Sequence, residues 1–313
     1  MLFRLYSLRF SFRARDVIRF PLGQSANILR GAFGTIFRRF ACVPPCVSPR
    51  QCQRRTTCPY ARIFEPSAAL RRGPSGLADW PRPYVFRATH LDGRTVQQGE
   101  VFYFDLNLFD LHYSSISCFV ATFTQLAGEG LGPQRSRADL IAVSQLDAEG
   151  NAASTVFDDT LLASQENAPP LEISLDPPPR PVDRVRIRFL TATELKSDEQ
   201  LAQQPDFSIL AARVRDRIST LRELYGDGRL DIDFRAFGER AALVHMTRYT
   251  IQHVENTRRS SRTGQVHPIG GFIGEAEYEG DVTPFVPYLA AAKWTGVGRQ
   301  TVWGKGQIAI ECL

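Results

Sequence analysis

The 313-residue sequence predicts an α+β protein made of two tandem ferredoxin-like (RRM-like) domains with antiparallel sheets and a cysteine-rich insertion. Three observations lead there. Segments 6–13 and 184–190 alternate apolar and polar residues, the period of a half-buried strand. Segments 25–40 and 206–225 place their apolar residues three and four apart, the period of a helix with one buried face. The order strand–helix–strand–strand–helix–strand occurs on both sides of a stiff break, Pro177-Pro178-Pro179-Arg180-Pro181. The break sets the expected domains at 1–176 and 182–313.

In the first domain, Tyr6, Leu8, Phe10 and Phe12 alternate with Ser7, Arg9, Ser11 and Arg13, giving a strand over 2–19. Ser25 is the expected N-cap of a helix whose stripe is Leu29, Phe33, Ile36, Phe37 and Phe40. A cysteine-rich stretch at 42–58 and a Pro/Gly-rich loop at 66–83 follow. Strands are expected at 84–89 and 98–107, and a second helix at 108–127. In the second domain, 184–190 (RVRIRFL) is a strand. Leu210, Val214, Ile218 and Leu221 stripe a helix that ends at Gly226-Asp-Gly228. Strands at 243–256 and 270–280, a helix at 283–293 and a strand at 306–311 complete the pattern.

Hydrophobic residues make up 43% and charged residues 23%, as in a globular protein, and no apolar run reaches the length of a membrane span. The net charge is only +5, but almost all the cations are arginines; lysine occurs only at 196, 293 and 305. Arginine forks pair with phosphate and stack on bases, although arginine-rich codon usage gives the same bias. Residues 1–60 hold eleven arginines and a single acid, Asp16, which points to a nucleic-acid-facing surface. The N-terminal alternation marks a strand rather than an arginine-rich transit peptide, so a cytoplasmic location is expected.

The last fifty residues are the most informative. Gly270-Gly271-Phe272-Ile273-Gly274 opens an alternating strand, and a glycine-rich turn runs over 296–306 with Arg299 and Lys305 among its glycines. Glycines let a backbone approach phosphate oxygens that cations neutralise; glycines at tight bends between helix and strand are the plainer reading. Candidate RNA-binding residues are Arg258, Arg259, Ser261, Arg262, Gly296, Gly298, Arg299, Gly304, Lys305 and Gly306.

These residues resemble the CRISPR repeat-processing endoribonucleases of the RAMP superfamily. The likeness rests on Gly270-Gly271-Phe272-Ile273-Gly274-Glu275, Tyr278, Gly280-Asp281, Pro284-Phe285, Gly296-Val297-Gly298-Arg299-Gln300-Thr301 and Trp303-Gly304-Lys305-Gly306. Arg258-Arg259-Ser260-Ser261-Arg262, the strand at 187–196 and the segments 27–34 and 58–65 add to it. The resemblance implies binding of precursor CRISPR RNA through its repeat stem-loop. It implies cleavage within each repeat by metal-independent attack of a ribose 2′-hydroxyl, leaving a 2′,3′-cyclic phosphate. No cofactor is implied for catalysis, and subunits of a CRISPR effector complex are further expected partners. The alternative is a non-catalytic RAMP subunit that holds guide RNA in such a complex.

That chemistry needs a base for the 2′-proton and an acid for the leaving 5′-oxygen, and histidine suits both roles. Many relatives carry the catalytic histidine near the first helix, whereas here no histidine precedes His90. His267, at the base of the basic hairpin, is the first candidate and His253 the second. By strict alternation His253 shares a strand face with His245, Tyr249 and Ile251. His90 and His112 are expected to be structural or solvent-exposed.

Cys42, Cys46, Cys52 and Cys58 fall within seventeen residues. Four thiolates in a reducing compartment suit a structural zinc. An iron–sulfur cluster and free thiols are the alternatives.

Overall fold

The computed structural model describes residues 1–42, 51–66, 80–132, 134–159, 169–197, 200–255, 257–259, 266–268 and 270–313, with the backbone alone at 257–259 and 266–268. Cys46, Ser261 and Arg262 lie outside the described residues, as do the side chains of Arg258, Arg259 and His267.

The chain divides into two units, one of residues 4–172 and one of residues 1–3 with 173–313. The first is built from β1 (Leu2–Ala14), β2 (Ile18–Arg19), α1 (Ser25–Ala41), α2 (Pro59–Ile63), β3 (Tyr84–Arg87), β4 (Thr95–Val96), β5 (Val101–Leu108), α3 (Tyr113–Glu129), β6 (Ala138–Leu146), β7 (Ala152–Asp158) and β8 (Leu171–Ser174). Its sheet runs β3-β5-β1-β6-β7, with β8 also paired to β1. Strands β3, β5, β1 and β6 with helices α1 and α3 form the ferredoxin-like unit, and β7 and β8 extend it.

The alternation along β1 is what buries Leu8, Phe10 and Phe12 on one face. The stripe of α1, Leu29, Phe33, Ile36 and Phe37, is buried as well. The core between them is aromatic. Phe33 stacks on Phe119 at 4.4 Å and 5°, and Phe10 packs against Phe104 and Phe123 at 5.3 and 5.2 Å. Truncating one such ring costs about 3–5 kcal/mol.

The second unit contains β9 (Arg184–Thr193), β10 (Lys196–Ser197), β11 (Gln200–Leu201), α4 (Phe207–Tyr225), α5 (Phe234–Ala241), β12 (His245–Val254), β13 (Thr257–Arg259), β14 (Val266–Pro268), β15 (Gly271–Glu279), α6 (Val286–Thr295) and β16 (Ile308–Cys312). Its sheet order, β12-β15-β9-β16, is antiparallel throughout and repeats the ferredoxin-like pattern. Val185, Ile187 and Phe189 face the stripe Leu210, Val214, Ile218 and Leu221, and all are buried. The hydroxyl of Tyr278 donates to the Pro205 carbonyl at 2.7 Å, which lets a phenol enter this core without an orphaned donor. Helix α4 ends at Gly226, as its glycine signal predicts, with the Gly226 amide bonded to the Arg222 carbonyl.

The open face of this sheet is charged. Glu277 is 4% exposed and receives Arg184 at 2.9 Å and Arg186 at 2.7 Å; Arg186 also meets Glu311 at 3.1 Å. The arginines hold the Glu277 carboxyl below the usual carboxylate range.

Candidate nucleic-acid interface

One end of the second sheet gathers the motifs. Along it, His253 of β12 pairs with Phe272 of β15, and Phe272 pairs with Thr193 of β9. The register between β15 and β9 slips between Phe272 and Gly274, so residues 190–192 are released from that ladder. Their polar groups bond instead to the glycine-rich turn and the residue that follows it. The Gly306 amide donates to the Ala192 carbonyl (3.1 Å), the Leu190 amide to the Gln307 carbonyl (2.8 Å), and the Gln307 amide to Thr191 Oγ1 (2.9 Å).

Just beyond, the Arg299 amide donates to the Glu194 carbonyl at 3.0 Å, and Arg299 Nη1 reaches Glu194 Oε1 at 2.5 Å. The turn therefore lies against the end of β9. At Gly298 a Cβ would stand 2.3 Å from the Glu194 carbonyl oxygen, so only glycine fits this approach.

The turn's cations differ in placement. The Arg299 side chain is about half exposed beside Glu194. Lys305, expected to face phosphate with Arg299, is buried at 9% exposure. Consecutive tight bends at Gly304 and Gly306, both with positive φ, carry Lys305 inward.

A half-buried cation that sequence reasoning misses lies beneath the turn. Arg217 Nε donates 2.8 Å to the carbonyl of Thr295, the last residue of α6, and burial pushes its pKa down to about 10. Its place beside the apolar stripe of α4 gives no signal in sequence that distinguishes it from a solvated arginine. At the end of α6 a cation meets the negative pole of the helix.

His253 is exposed, with its imidazole edge-on to the buried Phe272 ring at 6.2 Å and 79°. Tyr249 and Ile251 share its face, because their partners Ala276 and Gly274 lie in line with Phe272 on β15. His245 does not share it. A β-bulge between Met246 and Arg248 adds one residue, so His245 pairs with Glu279 and points to the opposite, charged face. The expectation of one face for all four residues is corrected by that single inserted position.

Beyond β12 the chain continues into the β13–β14 hairpin, where Arg258 pairs with His267 along the backbone. His267 therefore lies in the predicted basic hairpin. His90 lies on a 3-10 turn, Thr89–Leu91, and is exposed, as is His112 at the N-cap of α3. Cys42, Cys52 and Cys58 are half-buried and form no disulfide among the described residues, and no three potential metal ligands converge among those residues.

Two successive ferredoxin-like units, the second with a glycine-rich turn bound to the end of its first strand, define a tandem ferredoxin-like protein. Residues 187–308 match the family described as CRISPR-associated endoribonuclease Cas6, and residues 3–169 match an N-terminal domain family, AF_1859_N. The second unit therefore carries a domain of the Cas6 endoribonuclease family.

Solved structures share the fold at low identity. A Cas6 product complex is 16% identical with a TM-score of 0.58, covering 99% of this chain and 100% of that one. Thermus thermophilus Cas6 is 16% identical with a TM-score of 0.53, covering 98% of each chain. A chain of a partial Cas6-RT-Cas1–Cas2 complex is 11% identical with a TM-score of 0.56, covering 99% of this chain and 46% of that one. No curated protein matches the sequence. No helix among the described residues is long and apolar enough to cross a membrane.

Proposed function

We propose that this protein binds precursor CRISPR RNA in the cytoplasm and cuts it within the repeats without a metal. The ribose 2′-hydroxyl attacks the adjacent phosphodiester, the P–O5′ bond breaks, and the products are a 2′,3′-cyclic phosphate and a 5′-hydroxyl. The observation that carries this reading is the convergence of His253, the Gly-Gly strand start and the glycine-rich turn at one sheet end, inside the segment matched by the endoribonuclease family.

The division of labour follows from the chemistry. In-line attack needs the 2′-oxygen, phosphorus and 5′-oxygen held in a line, and the rigid turn and the hairpin arginines Arg258, Arg259 and Arg262 with Ser261 supply that grip. One histidine takes the 2′-proton and another returns a proton to the 5′-oxygen; His267 and His253 fill these roles. Arg299 offers its guanidinium to the phosphate while Glu194 orients it. Gly296, Gly298, Gly304 and Gly306 shape the turn, and buried Lys305 supports it from within. Subunits of a CRISPR effector complex are the further partners of the RNA-bound protein.

The reading is tested by incubating purified protein with a repeat stem-loop RNA in EDTA. Retained cleavage that a 2′-deoxy at the scissile position abolishes supports it. Tight binding with the RNA left intact favours a guide-holding subunit, the reading to which the absence of any histidine before His90 points.

A further inference from the structure

The open face of the first sheet carries a column of side chains that the proposed reaction does not use. Arg9 of β1 is held by Asp105 of β5 through two bonds, 2.8 and 3.0 Å, and its guanidinium carbon lies 4.1 Å from the centre of the Tyr103 ring. The imidazole of His90 stacks on Tyr103 with ring centres 4.5 Å apart and planes 28° apart. His90 Nε2 lies 2.8 Å from the Tyr103 carbonyl oxygen. A carbonyl only accepts, so Nε2 carries the proton and donates, and Nδ1 of the neutral ring remains an acceptor. Both partners of Tyr103 are thus oriented before any ligand arrives, which lowers the ordering cost of binding.

Exposure and charge say what this column suits. His90 is exposed, while Tyr103 is half-buried. The Arg9 charge is already matched by Asp105. Arg13 lies on the same face, opposite Val101, two residues along β1 from Ser11, the partner of Tyr103. It is exposed, and no carboxylate pairs with it among the described residues. A flat ring, one free acceptor and an uncompensated cation nearby match a nucleotide, which joins a planar base to an anion. An acidic peptide would use the cation and leave the stack idle.

We propose that this face is a base-stacking subsite for single-stranded RNA, in which a nucleobase lies on His90 and the adjoining phosphate meets Arg13. The inference rests on the RNA-binding reading above and adds a contact for the unpaired part of the transcript, on a different unit from the candidate cleavage site. Aromatic stacking tolerates any base, so the subsite is indifferent to sequence.

The probe is an unstructured oligoribonucleotide carrying 2-aminopurine. Wild-type protein should quench its fluorescence. His90→Ala should weaken affinity by roughly tenfold and remove the quenching, the usual scale for losing one stacked base. His90→Phe should keep both, and Arg13→Glu should weaken affinity and flatten its salt dependence. Equal affinity and quenching in wild type, His90→Ala and Arg13→Glu overturn the subsite even where repeat RNA is still cut. Loss of quenching in His90→Ala together with uncut repeat RNA overturns the nuclease reading and leaves the subsite standing.

Discussion

The backbones of Gly306 and Val297 touch: the Val297 amide donates to the Gly306 carbonyl at 2.9 Å, and a Cβ on Gly306 would stand 1.9 Å from the Val297 carbonyl oxygen. Gly306 also has φ +68°, so Gly306→Ala meets both a clash and a strained backbone. The conformational part alone costs about 1–3 kcal/mol. The expected result is a lower denaturation midpoint and a collapse of repeat cleavage, with Gly31→Ala, which meets no atom within 4 Å, as the control.

Removing either candidate histidine should separate chemistry from binding. His267→Ala and His253→Ala are each expected to slow single-turnover cleavage by about 10²–10⁴-fold, the usual contribution of proton transfer. RNA affinity should change by less than about threefold, since neither ring is required to neutralise phosphate. An unchanged single-turnover rate removes that residue from the reaction.

The hairpin arginines should be visible in salt. Each phosphate contact adds close to one unit to the slope of log affinity against log salt concentration. Arg258→Ala with Arg259→Ala is expected to lower the slope by about two for a stem-loop RNA. A slope equal to wild type would make this a solvated turn.

Acid should weaken the second sheet through Glu277. Its pKa is depressed in the folded state by Arg186 and Arg184, so its stabilising contribution is complete above its unfolded pKa and fades as pH falls through the lower folded value. Between pH 5 and pH 3, wild-type protein should lose more thermal stability than Glu277→Gln, whose amide does not titrate there. Parallel losses in the two proteins would count against the pairing.

Elemental analysis addresses the cysteines. We expect one zinc per chain, held by Cys42, Cys46, Cys52 and Cys58, and its loss in Cys52→Ser with Cys58→Ser. Metal-free protein with four titratable thiols in this segment would retire the site.

The elements legible in sequence are those in which period and burial agree. The alternation of β1 and β9 and the stripes of α1 and α4 each meet a single packed layer, so local pattern and tertiary contact give the same answer. Strand β6 is harder to see, because its register shifts opposite Ser11 and Phe12 and breaks the alternation of its buried residues. Helix α5 is only eight residues long and depends on Asp233, whose carboxylate accepts from the Arg235 and Ala236 amides. At the candidate site, the glycines and the position of His253 are legible, whereas the burial of Lys305 and the tether of Arg217 to Thr295 are not. Both depend on how the turn folds back on β9 and α6, contacts between residues distant in the chain.

The extra residue at Thr247 works as a phase shifter for the edge strand. Parity counted from the loop end would turn Tyr249, Ile251 and His253 outward to the charged side, and the insertion restores them to the Phe272 side. The bulge thus lets residues of the same sequence parity serve opposite faces of one strand, and deleting Thr247 would remove the irregularity while leaving His245 opposite Glu279 and His253 opposite Phe272.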